Sequence, residues 1–197
     1  MGNKDENLKI IYQNIVNDSA NKAYTDLGWL PLYKASSKSK ILIIGQAPGI
    51  KAQTINESWM DQSGDKLRDW LGVTKEQFYN PDLFGIIPMD FYYPGKGKTG
   101  DLPPRISFAE KWHPQIISNM EDVKLIILIG NYAQKFYLKE KYLNTLTNTV
   151  KNYHEYLPLY LPLPHPSPLN FRWFNKNPWF EAEVLPILKE LTNAIIK

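Results

Sequence analysis

The chain has 197 residues, 43% hydrophobic and 22% charged, with a net charge of +3 and no cysteine. That composition suits a single globular domain spanning 1–197 with one sizeable core, and it excludes disulfides, thiolate zinc sites and cysteine-held iron–sulfur clusters. No run of about 18 apolar residues occurs, so no membrane span is expected. MGNKDENLKI lacks the apolar core of a signal peptide, and a soluble, cytoplasmic monomer is the plain expectation.

In chain order, residues 8–17 predict a short amphipathic helix and SSKSK (36–40) a polar connector. ILII (41–44) is an unbroken β-branched run of the kind that forms a parallel strand buried on both faces. It runs into GQAPG, where glycines Gly45 and Gly49 let the backbone approach a ligand and Pro48 stiffens the turn. Trp59 follows in the polar stretch INESWMDQSG, where a flat ring can stack on a base. Ser63 is a candidate cap for a helix carrying Leu67, Trp70 and Leu71 on one face and stopped by Gly72. Thr74 and Gln77 form a capping-box pattern for a short helix ending before Pro81.

FGIIP (84–88) predicts a second strand. PGKGKTG (94–100) matches only the end of a phosphate-binding loop, because Tyr92 stands at the first glycine position; a basic loop with Lys96 and Lys98 near phosphates is the better reading. His113 in WHP is read as a helix start. LIILI (125–129) predicts a third strand, followed by a helix over 132–138. The proline-interrupted LPLYLPLP (157–164) predicts a fourth strand at an edge or strand end. Beyond Asn177–Pro178, a cap and first-turn signal, apolar residues recur at helical spacing, with Pro186 expected to kink or restart the helix. Strand–crossover–strand repetition predicts an α/β fold: a three-layer α/β/α sandwich around a short four-stranded parallel sheet. Ligands in such folds sit beyond the carboxyl ends of strands, which singles out the loops after 44, 88 and 164.

The last of these loops holds His165 between Pro164 and Pro166. An imidazole held this way can donate a hydrogen bond to a developing anion. The three histidines His113, His154 and His165 have no metal-ligand spacing, so no metal site is expected.

GQAPG, HPSPLN and, between them, LIILIGNYAQKFYL resemble, in order, the motifs of the uracil-DNA glycosylase superfamily, over about residues 41–174. The resemblance implies a DNA partner whose damaged base is flipped into a pocket, and hydrolysis of its N-glycosidic bond in base-excision repair, without a cofactor. By the same resemblance His165 donates to the departing base. Gly45, Gln46, Ala47, Pro48 and Gly49 line the base pocket, with Trp59 where one branch has a base-stacking phenylalanine. Met89, after the second strand, Ser167 and Asn170 complete the substrate contacts. Leu169 wedges into the duplex from the minor groove, and Arg172, Ser167 and nearby backbone amides hold phosphates, to which the basic loop with Lys96 and Lys98 adds DNA contacts on its own charge.

Two positions depart from the pattern. Ala47 stands where the classical branch has its catalytic aspartate, leaving Asp61 and Asp90, and after them Glu57, as candidate carboxylates. Pro88 and Met89 stand where the family often places an asparagine that reads uracil; without it the main polar selection for uracil is absent. Alternative readings are a weakly catalytic or inactive nucleic-acid-binding relative and an N-glycosidase acting on nucleosides or nucleotides. The modest positive charge favours these over a tight duplex binder.

Overall fold

The computed structural model describes residues 3–197; Met1 and Gly2, the first two residues of the N-terminal stretch read above, lie outside them. Four strands, β1 (Ile41–Ile44), β2 (Phe84–Ile86), β3 (Leu125–Ile129) and β4 (Tyr160–Leu163), form one parallel sheet in the order β2-β1-β3-β4. The helices are α1 (Lys4–Asn17), α2 (Lys22–Thr25), α3 (Ile50–Ile55), α4 (Gln62–Leu71), α5 (Lys75–Tyr79), α6 (Ile106–Ile117), α7 (Asn131–Leu138), α8 (Leu146–Lys151), α9 (Phe171–Lys176) and α10 (Leu185–Ile196).

Side chains alternate across a strand, and here both sets are buried. Leu42, Ile44, Ile126 and Leu128 pack with α1, α6 and α7 through Leu8, Ile15, Trp112, Ile116 and Ala133. Ile41, Ile43, Leu125 and Ile127 pack on the other face with Leu67 and Trp70 of α4, Phe78 of α5 and Leu188 of α10. The expected α/β/α sandwich with a short four-stranded parallel sheet is therefore the fold.

Local boundaries depart from the sequence reading where hydrogen bonding decides them. The second strand ends at Ile86 rather than 88, although Ile87 N–H still bonds Ile43 O and Met89 N–H bonds Gly45 O beyond it. The fourth begins at Tyr160 rather than 157. α4 is capped by Asp61, which accepts from Gly64 N–H at 3.0 Å, while Ser63 lies buried inside the helix; Gly72, at φ 69°, ends it as expected. The Thr74–Gln77 capping box is formed. Near the C-terminus a turn of π-helix at Phe180–Val184 precedes α10, so Pro186 falls in the first turn of a restarted helix, where its missing N–H costs little.

The reading of His113 as a helix start is corrected. α6 begins at Ile106, and His113 lies eight residues into it, buried. Its Nε2 lies 3.0 Å from the Pro88 carbonyl, which can only accept, so this nitrogen carries the proton; Nδ1 then accepts from the Tyr137 hydroxyl at 2.6 Å. Burial pushes its pKa down to about 4, against a weaker upward pull from the Pro88 carbonyl and the Asp90 charge. A neutral imidazole is thus built into the fold. Because its folded pKa lies below the unfolded value of about 6.5, its contribution is fully present above pH 6.5 and is lost as pH falls toward 4. Urea titrations at pH 7 and pH 5 should show a loss of about 2 kcal/mol from this group. The His113→Gln protein should show a correspondingly flatter pH dependence over that window.

Candidate active site

The C-terminal ends of β1, β2 and β4 open into a cleft of about 690 Å³. Its walls include all of Gly45, Gln46, Ala47, Pro48 and Gly49 from the β1 exit, Ile86 and Pro88 from the β2 side, Trp59 and Asp61, Lys96, and His165 after β4. The β1 and β2 exits are stitched together: Met89 N–H bonds Gly45 O at 2.9 Å and Asp90 N–H bonds Gln46 O at 3.1 Å.

His165 is positioned by its own loop. Ser167 N–H approaches Nδ1 at 3.2 Å. An amide N–H only donates, so Nδ1 accepts and the neutral ring carries its proton on Nε2. Asn170 Nδ2 donates to the His165 carbonyl at 2.8 Å, and Ser167 Oγ accepts from Leu169 N–H at 3.2 Å. Burial lowers the His165 pKa below its ordinary value, and the Asp61 carboxylate partly opposes this. At neutral pH the ring is therefore an uncharged donor.

The Trp59 ring lies beside His165, with centroids 5.6 Å apart and planes tilted by 29°. Its backbone adopts φ 60°, unusual for a bulky residue, and three contacts hold the segment in place. Arg68 Nη1 donates to Trp59 O at 2.9 Å, the Tyr79 hydroxyl donates to Ser58 O at 2.8 Å, and Gly64 packs directly under the Trp59 carbonyl. A Cβ at Gly64 would collide with that carbonyl, and one at Gly45 would press on the indole edge at 3.3 Å.

Of the three carboxylates, Asp61 and Glu57 line the cleft and Asp90 does not. Asp90 is fully buried. Its carboxylate accepts from Arg105 Nε at 2.7 Å, Arg105 Nη2 at 2.8 Å and the backbone N–H groups of Arg105 and Tyr92. Arg105 also donates to Ala20 O and Asn21 Oδ1, so this ion pair fastens the β2 exit to the turn of 3-10 helix at Ser19–Asn21, between α1 and α2. Asp90 is thus consumed in structure. Glu57 Oε2 accepts from Lys34 Nζ at 2.9 Å, while Oε1 is enclosed with no partner among the described residues.

Met89 is likewise not in the cleft. With its N–H turned to Gly45 O, its side chain enters the core under α1 and α6 and is fully buried. Ser167 and Asn170 shape the loop rather than the cleft wall. Leu169 is 87% and Phe171 55% exposed at the loop tip, with the Arg172 guanidinium 5.7 Å from the Phe171 ring. Lys96 lies 3.7 Å from Asp101 at the cleft rim; Lys98 is exposed and does not line it.

Sequence reasoning missed α3, which supplies Ile50, Lys51 and Ile55 to the wall. Six residues are too few for a helical period to register; Gly49 before the apolar Ile50 is the sole local signal. Among the described residues no group of three or more His, Cys, Asp and Glu side chains is arranged to hold a metal ion, and no helix is long and apolar enough to cross a membrane.

Two outcomes test this geometry. Gly64→Ala should cost about 3 kcal/mol in urea denaturation, since backbone rather than a movable side chain stands in the way. Asp61→Asn keeps the helix cap but removes the charge that favours imidazolium. The His165 pKa, followed by NMR through its ring Cε1–H, should therefore fall further in that variant; an unchanged value would disconnect the two groups.

Comparison with known proteins places this site in a lineage. The solution NMR structure of a candidate uracil DNA glycosylase from Methanosarcina acetivorans is similar at 17% sequence identity, covering 82% of this chain and 98% of that one, with a TM-score of 0.45. The family model described as the uracil DNA glycosylase superfamily matches residues 32–189. That match takes in the cleft loops, the sheet and most of the helical layers, and the chain belongs to the uracil DNA glycosylase superfamily.

Proposed function

We propose that the protein is a monofunctional DNA glycosylase that hydrolyses the N-glycosidic bond of a damaged or deaminated base. The observation that carries this reading is the backbone N–H of Ser167 on His165 Nδ1, which leaves Nε2–H free to donate in a cleft lined by the β1 exit loop. The base is flipped from the stack, because its glycosidic bond is out of reach within the duplex. Leu169 at the loop tip fills the vacated space, and Arg172 with Lys96 and Lys98 meets the phosphates.

In the reaction the C1′–N bond breaks and its electron pair leaves with the base. His165 Nε2–H donates a hydrogen bond to the base oxygen on which that charge collects, and a neutral donor does so without giving up a full proton. Trp59 stacks on the flipped ring. Water adds to C1′ and releases a proton, and the Asp61 carboxylate at the cleft wall offsets the positive charge that develops on the sugar. Ala47 cannot perform that role, and Asp90 is bound to Arg105.

A cleavage panel tests the proposal. Single- and double-stranded DNA carrying uracil, hypoxanthine, xanthine or alkylated bases is incubated with the protein and then treated to break abasic sites. Cleavage of at least one substrate is expected, with His165→Ala lowering its rate by about 100-fold or more. If every substrate survives under saturated DNA binding, the protein is a binding relative instead; if His165→Ala cleaves normally, His165 has no part in the chemistry.

A further inference from the structure

Gln134, on α7, is fully buried and is not part of the cleft wall. Its Nε2 donates to Leu163 O, the last carbonyl of β4, at 2.9 Å and to Leu128 O of β3 at 3.3 Å. Gly130 N–H donates to the same Leu163 carbonyl at 2.9 Å. The end of β4 is therefore gripped by two donors, one from the backbone and one from a side chain. The other end of the amide gains nothing: Oε1 is enclosed with no partner among the described residues. A buried acceptor left in that state is costly, and an apolar side chain of similar shape would avoid the cost. What a glutamine supplies here is the pair of donations from Nε2.

One of those donations acts two residues before His165. Leu163, Pro164, His165 and Pro166 are each a proline or the residue before one. Pyrrolidine rings fix φ at Pro164 and Pro166, and the residues before them are held extended. Such a segment is stiff, so a tilt of the Leu163 carbonyl is carried through to the imidazole. Gly130 N–H alone would leave that carbonyl free to swing about one hydrogen bond; a second donor on the same oxygen restrains it. The contacts of Ser167 N–H with Nδ1 and of Asn170 Nδ2 with the His165 carbonyl lie inside the loop and move with it. We infer that Gln134 is a positioning residue for His165: by clamping the end of β4 it sets where the proline-held loop carries the imidazole over the cleft. The placement of the ring is independent of the glycosylase reading above; its effect on a reaction rate rests on that reading.

The test is Gln134→Met in the intact protein, followed by three measurements. The urea denaturation midpoint should change little, because two hydrogen bonds and one unsatisfied acceptor are removed together. The His165 ring nitrogens should keep the NMR signature of a proton on Nε2. The ring's Cε1–H signal should shift, because His165 lies beside the Trp59 indole with centroids 5.6 Å apart and feels its ring current. On a base that the protein excises, kcat should fall at least about tenfold with KM within about twofold, the pattern of a donor misplaced for the transition state alone. An unmoved Cε1–H signal overturns the inference, as does an unchanged kcat or a loss confined to KM. A protein that excises no base removes the proposed hydrolysis, and the Cε1–H shift then decides the placement by itself. Should Gln134→Met fail to fold, Gln134→Asn, one methylene shorter and unable to reach both carbonyls, takes its place. Failure of both to fold makes Gln134 a purely structural residue and overturns the inference.

Discussion

A parallel sheet with both faces covered leaves its strand ends as the places where polar groups can meet solvent and ligand. In this protein that constraint arranges everything else. Ile41, Leu42, Ile43 and Ile44 are all buried, two on each face, so β1 has no free side along its length and its chemistry begins at Gly45. The same holds for β3 between its neighbours. The loops after β1, β2 and β4 then converge because their strands are held in register, not because the loops attract one another.

Within that frame the cleft is organised by neutral histidines rather than by charges. His165 and His113 are both held below their ordinary pKa by burial, and in each a single hydrogen bond fixes which nitrogen carries the proton. One is available to a ligand and the other is spent on the wall behind it. The carboxylates divide in the same way. Asp90 is consumed with Arg105 in tying the chain together, whereas Asp61 combines a structural duty, capping α4, with a position on the cleft.

Much of this was legible in the residues. The apolar runs at 41–44 and 125–129 marked their strands because both-face burial requires uninterrupted hydrocarbon, and the proline-held histidine stood out because rigidity around a titratable ring is costly without a purpose. What sequence did not disclose was the disposition of polar side chains across long separations. Asp90 follows a strand just as a cleft residue would, and only its pairing with Arg105, fifteen residues on, removes it. Met89 faced inward because its backbone partner was Gly45, and His113 sat beside a proline that looked like a helix start yet was tolerated late in α6. Such outcomes depend on which donors three-dimensional packing brings near, and no local pattern encodes that.

The prolines around the histidine loop have a further consequence for the open edge of the sheet. β4 is an outer strand, and the Leu159 and Leu163 carbonyls accept from Ile126 and Gly130 N–H, so the alternate residues Tyr160 and Pro162 direct their backbone away from β3. Pro162 offers no donor there, and the free margin of β4 cannot present a continuous ladder to a strand from another molecule. The chain can therefore carry Leu169 and Phe171 bare at the tip of the adjoining loop without also offering an adhesive β-edge beside them.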